Sequence, residues 1–393
     1  MSEPLRVEVV ENPQQMRDFI RLPERIYKND PNYVPPLRSS VEEKLDPDKN
    51  TFFQRGRAAL FLACRGNRLV GRISAQVYDE HIAHHLDGTG HFGFLVAEDD
   101  AAVVAALFRA AEDWARGQGL VRLTGPYSLK FHDQCGILID GFDTPPALMM
   151  EHNPAYLQAL VEACGYSKVR DLFAYRFENY GTPPPKLARV ARMQKQVDGL
   201  KVRMIDMKNY PEEAKGVFEL FNDAWQDNWG FVPLPEDEVA STTQKLKAII
   251  DPKMTLIAEI HGRPVGMVVM VPDLNYAMRD VGPNPSWFGW LKILYRLKFQ
   301  RIKFARVIMG GVRHEFRKTP RSLVIFAALV SSLFEINRHR IRGSIEMGAI
   351  LEDNADMLSW MRAVEAKRAK TYRVYEKRLV EDYASTDSFS NPE

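Results

Sequence analysis

Apolar residues alternate with polar ones in some segments of this chain, as in a strand, and recur at helical spacing in others. The order of these strand-like and helical segments in the first half is repeated in the second. Segments with the two-residue period of a strand occur in the first half at 5–10, 60–64, 69–77, 92–96, 120–124 and 171–177. Segments with helical spacing lie between them, at 12–28, 101–118 and 153–163. The second half has strand-like segments at 201–206, 254–260, 265–271, 304–309, 341–350 and 371–379, and helical segments at 210–227, 236–250, 320–336 and 353–364. This repetition indicates two copies of one α/β unit.

Length and turn-forming residues indicate where the two copies meet. A chain of 393 residues exceeds the usual size of one hydrophobic core. The run Gly181-Thr-Pro-Pro-Pro185 interrupts the pattern between the halves. We therefore predict an N-terminal domain at 1–180, a linker at 181–199 and a C-terminal domain at 200–380, with an insertion at 273–303. The polar end, 381–393, is predicted to be a disordered tail.

Composition limits the class of protein. A net charge of +2 gives no general attraction to nucleic acid, so we expect no nucleic-acid partner. The three cysteines, Cys64, Cys135 and Cys164, lack metal-ligand or redox spacing, which predicts reduced thiols and no metal site. The N-terminal segment does not resemble a signal peptide, and we find no apolar run long enough to span a bilayer. We expect a cytoplasmic protein, at most peripheral on the inner membrane.

A basic turn connects the strand at 304–309 to the apolar helix that begins at Pro320. Thr319 stands at the N-cap position, and the turn carries Arg313, His314, Arg317 and Lys318. Free backbone N–H groups at a helix start, together with nearby cations, form a site for phosphate. The alternative is an ordinary strand–turn–helix connection with a solvated basic turn.

This turn resembles the pyrophosphate-binding loop of GNAT acyltransferases, a valine followed by (Arg or Gln)-x-x-Gly-x-(Gly or Ala). Arg317 falls on the first motif position, whereas Pro320 and Ser322 replace the two glycines. The first half has Glu98-Asp99-Asp100 at the same place, where carboxylates would repel a pyrophosphate. The resemblance implies that acyl-CoA binds the second half only, through Val312, Arg313, Arg317, Lys318, Thr319, Arg321, Ser322 and Asn354.

A longer set of peptides resembles a bacterial family of tandem GNAT-like N-acyltransferases that includes bacterial ceramide synthases. The peptides are 22–36, 136–146, 153–156, 228–233 and 350–354, and the resemblance spans about residues 4 to 380. It implies an α/β (α+β) fold with two tandem GNAT-like domains, each a mixed, mostly antiparallel sheet flanked by helices. It also implies transfer of a long-chain acyl group from acyl-CoA to the amine of a sphingoid base, sphinganine or its 3-keto form.

The connection between the first two helices of the second half is the predicted acceptor site. In GNAT-like proteins this connection lines the acceptor pocket, and here it contains Trp225, Asn228, Trp229 and Phe231. The aromatic side chains suit an apolar substrate whose polar head lies near Asn228. The alternative is that these aromatic residues belong to the core.

Glu346 is the candidate general base. It lies in the apolar strand 344–348, where a carboxylate is costly to bury unless it is paired or functional. The alternative is a structural ion pair. The position of the GNAT general-acid tyrosine falls near Met361, so His314 is the nearest other titrating group. His132-Asp133 is a further possible acid–base pair, but its position in a loop favours no catalytic role.

Residues 285–304 within the insertion have the pattern of an interfacial membrane helix. A helical projection places Lys292, Arg296, Gln300 and Lys303 on a narrow polar face, opposite an aromatic-rich apolar face. The pattern predicts contact with the inner-membrane surface, or else packing on the protein itself or on a second copy. Three other functions stay open: acylation of a small soluble amine, aminoacyl-tRNA-dependent transfer, and lipid binding without catalysis.

Overall fold

The computed structural model describes residues 3–178 and 182–380. The predicted disordered tail, 381–393, lies outside these residues, and so do residues 179–181, the last two of the predicted N-terminal domain and the first of the predicted linker. The linker and domain bounds therefore stay predictions.

The described chain follows the predicted order of elements. Its strands are β1 (Leu5–Val9), β2 (Gly56–Arg65), β3 (Arg68–Tyr78), β4 (Thr89–Ala97), β5 (Arg122–Gly125), β6 (Ile137–Asp140), β7 (Ser167–Glu178), β8 (Leu200–Met204), β9 (Thr255–Ile260), β10 (Arg263–Pro272), β11 (Ile302–Val312), β12 (Ile341–Leu351) and β13 (Lys367–Arg378). Its helices are α1 (Pro13–Ile26), α2 (Arg38–Leu45), α3 (Asp79–His85), α4 (Ala101–Gly117), α5 (Tyr156–Ala163), α6 (Pro185–Arg192), α7 (Tyr210–Trp225), α8 (Glu236–Lys247), α9 (Leu274–Met278), α10 (Trp287–Lys298), α11 (Pro320–Asn337) and α12 (Ala355–Ala363).

Local chemistry accounts for several of these boundaries. Asp100 caps α4 by accepting hydrogen bonds from the backbone N–H groups of Ala102 and Val103. His261 and Gly262 form the two-residue turn between β9 and β10, and both have positive φ, as a type I′ hairpin turn requires. Thr319 and Pro320 begin α11 at the predicted positions. The Thr319 hydroxyl, however, donates to the Phe316 carbonyl oxygen at 2.6 Å and does not cap the helix.

The described strands form one mixed, mostly antiparallel sheet. Its order is β1-β2-β3-β4-β5-β13-β7-β12-β11-β10-β9-β8, and β6 pairs with β13. The last strand of each half thus lies against strands of the other half, because β7 pairs with β12 and β13 pairs with β5. The two halves share a sheet by exchanging their last strands, an arrangement that the repeated pattern did not predict.

In each half, one pair of neighbouring parallel strands is hydrogen-bonded over part of its length and then separates. In the first half, the pairing of β4 with β5 ends at His91 and Thr124. In the second half, the pairing of β11 with β12 ends at Val307 and Met347. Both β4 and β11 continue beyond the last pair, so each half has an opening between its central strands.

Helices cover both faces of the sheet. In the second half, α6, α11 and α12 bury one face and α7 buries the other. The predicted linker contains α6, which packs Leu187 and Ala191 into the core around α11. By length and composition, α11 is the one described helix that could span a bilayer, but 67% of it is buried in the protein, as in a core helix.

Candidate functional site

A cavity of about 270 Å³ occupies the opening between β11 and β12, and we name it the C-terminal cavity. Its floor consists of Ile308 to Val312 of β11 and Gly348 to Leu351 of β12. Apolar side chains of α7 and α12 form much of its wall. Residues 130–133 and Cys135 of the first half also line the cavity. The site therefore needs residues from both halves.

The predicted phosphate loop lies at one end of this cavity. Val312 and Arg317 line the cavity, and Lys318 and Arg321 are exposed beside the start of α11. Arg317 donates to a carboxylate oxygen of Asp227 at 3.3 Å. Ser322 is buried, and among the described atoms its hydroxyl has no hydrogen-bond partner. The predicted loop residues thus lie near one another at the start of α11, where Pro320 has no N–H and the Ser322 N–H donates to the Thr319 carbonyl oxygen at 3.1 Å.

Two residues of this loop point away from the cavity. Arg313 is held by the Pro264 carbonyl oxygen, to which its Nε donates at 3.0 Å. The exposed ring of His314 has its Nε2 3.0 Å from Asp227, and His314 does not figure among the described residues that line the cavity. The geometry does not favour His314 as an acid or base, although its role stays a prediction.

The equivalent position in the first half is occupied by carboxylates. Asp100 caps α4 and forms an ion pair with Arg65, and Glu98 lies 2.7 Å from a guanidinium nitrogen of Arg68. An anionic ligand would have to displace these pairs. This arrangement supports the prediction that the first half lacks a pyrophosphate site.

The predicted acceptor residues divide into two pairs. Trp225 and Asn228 line the C-terminal cavity. The indole Nε1 of Trp225 donates to the Gly310 carbonyl oxygen at 3.4 Å, and Asn228 accepts from the Asn354 amide at 3.3 Å. Trp229 instead packs on Phe131 outside this cavity. Phe231 is a buried core residue, as the alternative interpretation proposed.

Glu346 belongs to a buried polar network behind the cavity. Its carboxylate lies 3.0 Å from a guanidinium nitrogen of Arg176, and the described lining of the cavity does not include it. The neighbouring Arg306 does line the cavity and donates to the carbonyl oxygens of Leu148 and Gly348. Burial, and then the charge of Glu346, raise the pKa of Asp273 to about 6. The geometry agrees with the structural ion pair that was the alternative for Glu346.

His132 is the titrating residue that sequence reasoning set aside and the fold brings to the cavity. It lines the cavity from the first half, between Phe221 and Phe231. Its Nε2 lies 2.7 Å from the Val232 carbonyl oxygen, so Nε2 must carry the proton and Nδ1 is the basic nitrogen. Burial lowers the pKa of His132, and the hydrogen bond to Val232 opposes this shift without cancelling it. The ring is therefore neutral at pH 7.

Comparison with known proteins adds to this geometry. No family model matches the chain. Over 377 residues the chain is 39% identical to the bacterial ceramide synthase of Caulobacter vibrioides (strain NA1000 / CB15N), covering 95% of this chain and 98% of that protein. The chain belongs to the bacterial ceramide synthase family. Protein YghO of Escherichia coli (strain K12) is 37% identical over 370 residues, covering 94% of either chain.

Solved structures show that the fold of this ceramide synthase family member is the tandem GNAT fold. A tandem GNAT protein from the clavulanic acid biosynthesis pathway covers 96% of this chain and 99% of its own at 14% identity, with a TM-score of 0.54. A GCN5-related N-acetyltransferase from Sphaerobacter thermophilus covers 96% of both chains at 14% identity, with a TM-score of 0.53. The predicted fold class and family are confirmed, and the chain is an N-acyltransferase. Within the described residues, no group of three or more His, Cys, Asp or Glu could hold a metal ion.

Proposed function

We propose that the C-terminal cavity binds a long-chain acyl-CoA and transfers its acyl group to the amine of a sphingoid base, sphinganine or its 3-keto form. The observation that carries this proposal is a cavity with two unlike ends. One end is the basic start of α11, and much of the remaining lining is apolar and includes Phe218, Leu246, Met357 and Trp360. Charged residues, among them Lys130, Arg306 and Asp356, line it as well. A nucleotide diphosphate and a long acyl chain together need such a pair of surfaces.

The cofactor site is proposed at the junction of β11 and α11. The pyrophosphate would accept hydrogen bonds from the Arg317 guanidinium and from the backbone N–H of Arg321, with the side chains of Lys318 and Arg321 adding positive charge at the positive end of the α11 dipole. The thioester would then lie along β11. A β-bulge at Ile308 interrupts the pairing of β11 with β10, between Met309 and Val307. A bulge leaves a backbone N–H available to polarise the thioester carbonyl.

The reaction we propose is direct transfer. The lone pair of the free amine attacks the thioester carbon, an N–C bond forms, and the C–S bond breaks as CoA leaves. The nitrogen loses one proton to a base, and the thiolate of CoA takes one up. The amine would lie between β11 and the connection from α7 to α8, so the base must reach that position.

His132 fits the role of this base better than Glu346. Its Nδ1 is unprotonated in the tautomer that Val232 imposes, and its lowered pKa keeps the ring able to accept a proton at pH 7. Glu346 is already neutralised by Arg176 and lies behind Arg306. We therefore propose that His132 is the base and that Glu346 holds Arg176 and Arg306 in place.

The helix α10 is proposed to contact the cytoplasmic surface of the inner membrane. Trp287, Phe288 and Phe299 are 72%, 78% and 77% exposed, and the adjacent Leu291, Leu294 and Tyr295 are exposed too. The helix packs on α9 through the buried Ile293, so its aromatic face is directed outward and is not core. Exposed Lys298, Arg301 and Lys303 at its end suit anionic lipid head groups. Asp280 neutralises the predicted basic residues Lys292 and Arg296.

Release of free CoA thiol tests the proposed reaction. The full chain is mixed with palmitoyl-CoA and sphinganine, with acetyl-CoA as the donor control and a short soluble amine, ethanolamine, as the acceptor control. We expect thiol release that depends on both long-chain substrates, together with an amide product seen by mass spectrometry. Faster transfer to ethanolamine would instead support the small-amine function. Absence of release with every pair would support lipid binding without catalysis.

A further inference from the structure

The first half has its own cavity at the equivalent opening, beside β4 and the segment that follows β5. This cavity, of about 240 Å³, is named the N-terminal cavity. Phe94 to Val96 of β4 and Pro126 to Ser128 form one part of its lining, and α1 and α2 form another. Asp133, Met149 and Met150 line both cavities, so the two are separated by these side chains. Nothing in the proposed transfer reaction uses the N-terminal cavity.

Arg72 is the residue that sets the chemistry of this cavity. It lines the cavity from β3 and is only 8% exposed. Its guanidinium stacks near the rings of Phe19 and Phe94, at 4.8 Å and 5.7 Å from their centroids, and one nitrogen donates to the Phe19 carbonyl oxygen. Its Nε has no hydrogen-bond partner, and Arg72 forms no ion pair with any described residue. A buried cation without a counter-ion is costly, and an anion would remove that cost.

The other charged groups of the lining are mostly neutralised by one another. Arg38 lies 2.6 Å from Glu24, and Lys44 lies 3.6 Å from Asp133. Glu151 faces the same space, where burial raises the pKa of its carboxyl and its Oε1 accepts from the Ser128 hydroxyl at 3.4 Å. Burial lowers the pKa of Arg72 to about 10, so its guanidinium is still charged at pH 7. Arg72 and Glu151 are thus the charged lining groups that lack an ion pair among the described residues, and the charge of Arg72 lowers the pKa of Glu151, against the effect of burial.

Two phenols complete a polar end around this cation. Tyr27 and Tyr33 line the cavity, their rings are 5.0 Å apart, and burial raises the pKa of both, so both are neutral donors. The hydroxyl of Tyr27 is buried and has no partner among the described atoms. One guanidinium and two phenols are the donors that a carboxylate or phosphate oxygen accepts from.

The remainder of the lining is apolar and leads to the inserted helices. Leu274 and Met278 of α9 line the cavity together with Leu37 and Val41. Leu37, Leu274 and Met278 belong to the same apolar cluster as Ile293 of α10. The cavity therefore lies next to the element whose opposite face carries the exposed aromatic residues.

We infer that the N-terminal cavity is a second binding site, and that it holds a single-chain amphiphile by an oxyanion head, a carboxylate or a phosphate monoester. Arg72, Tyr27 and Tyr33 bind the head, and the apolar side chains of α1, α2 and α9 bind the chain. The site does not depend on the proposed transfer reaction, because its donors are separate from the phosphate loop of α11. Its shared wall with the C-terminal cavity, Met149 and Met150, places this ligand beside the reaction site.

Calorimetry on the full chain tests this inference. Saturating CoA is added first, so that the phosphate loop is occupied, and dodecyl phosphate, dodecanoate, inorganic phosphate and dodecyltrimethylammonium are then titrated below their micelle concentrations. We expect one of the two anionic amphiphiles to bind with a 1:1 ratio. The variant Arg72→Gln should weaken that binding at least about tenfold. Arg68→Gln, a matched change at an exposed position of the same strand, should not change it.

Each other result would overturn the inference or one part of it. Equal binding of the cationic amphiphile, or equal binding by the Arg72→Gln variant, would show that Arg72 is only a structural residue stacked on Phe19. Inorganic phosphate bound as tightly as dodecyl phosphate would reject the lipid ligand and leave a free oxyanion site. If Arg72→Gln does not fold, Tyr27→Phe removes one buried hydroxyl and should still weaken binding several-fold. CoA affinity, measured in the same experiments, reports separately on the C-terminal cavity.

Discussion

The contrast between His132 and Glu346 shows how single residues acquire their roles here. Glu346 is conspicuous in the sequence because a carboxylate stands in an apolar strand, and in the structure Arg176 pairs with one of its oxygens, while Oε1 has no hydrogen-bond partner among the described atoms. His132 looked unremarkable because it stands in a loop, yet the shared sheet places it in the lining of a cavity formed by the other half. Sequence pattern can locate a costly residue, whereas it cannot show which side chains meet across 100 or more residues.

At the residue scale we predict that His132→Gln lowers kcat by about 10² with little change in the KM for acyl-CoA, since a general base contributes on that order. The wild-type kcat should also fall as the pH drops below the ordinary histidine value of about 6.5, through the lowered pKa of His132. Steady-state thiol release at several pH values measures both. A pH profile that keeps the same acid limb in the variant would assign the base to another group.

Glu346→Gln serves as the paired experiment. If Glu346 only supports Arg176 and Arg306, the variant should lose thermal stability while the acid limb of its pH profile stays in place. Loss of that limb, in a variant that still melts like the wild type, would return the role of base to Glu346 and exclude His132.

Among the elements, α11 has the clearest sequence signal, because a basic turn, a first-position proline and an apolar stripe follow one another. Arg317→Glu should weaken CoA binding at least about tenfold, because it places a negative charge where the pyrophosphate is proposed to lie. Isothermal calorimetry with CoA is the measurement. Arg338→Glu makes the same charge change at the exposed far end of α11 and should leave the affinity unaltered. Equal affinities in the two variants would place the pyrophosphate elsewhere.

The amphipathic pattern of α10 was also readable from the sequence, but its exposure was not. A helix with an aromatic stripe can equally well be buried, and only packing on α9 directs that stripe outward. We predict that Trp287→Ser with Phe288→Ser reduces co-sedimentation with vesicles containing anionic phosphatidylglycerol by at least half. Leu86→Ser removes another exposed apolar residue, 83% exposed, from the first half and should have no effect. Unchanged sedimentation of the double variant would favour contact with a protein partner.

Several short elements could not be predicted, for one physical reason. The helices α3 and α9 have seven and five residues, so their periodicity is too short to read, and tertiary contacts hold them in place. In α3 this matters, because the helix places His81, a buried residue, beside His85 and His91.

For the molecule as a whole, these buried histidines predict a loss of stability in mild acid. Burial, and then the charge of His85, lower the pKa of His81 to about 4, and burial also lowers the pKa values of His91 and His132. Unfolded histidines bind a proton near pH 6.5, so stability falls as the pH drops below that value, by about 2 kcal/mol at pH 5 for His81 alone. Asp273 acts oppositely, since its raised pKa of about 6 means that its protonation stabilises the fold between pH 6 and 4.

Thermal unfolding at pH 7 and pH 5 checks this balance, with a lower Tm expected at pH 5. His81→Gln should reduce the difference between the two Tm values, and His261→Gln, at an exposed turn, should not. A Tm that rises on acidification would mean that Asp273 and other protonating carboxyls outweigh the histidines.

The position of β13 between β5 and β7 has a consequence for synthesis on the ribosome. When the first half has left the exit tunnel, the place that β13 fills is still empty, and β5 and β7 both present unpaired backbone groups. Those groups stay exposed until β13 has been synthesised and has left the exit tunnel. The nascent chain therefore cannot complete one unit before starting the next, and a message that stops before codon 367 would release a product with two open edges, prone to aggregation or to capture by chaperones.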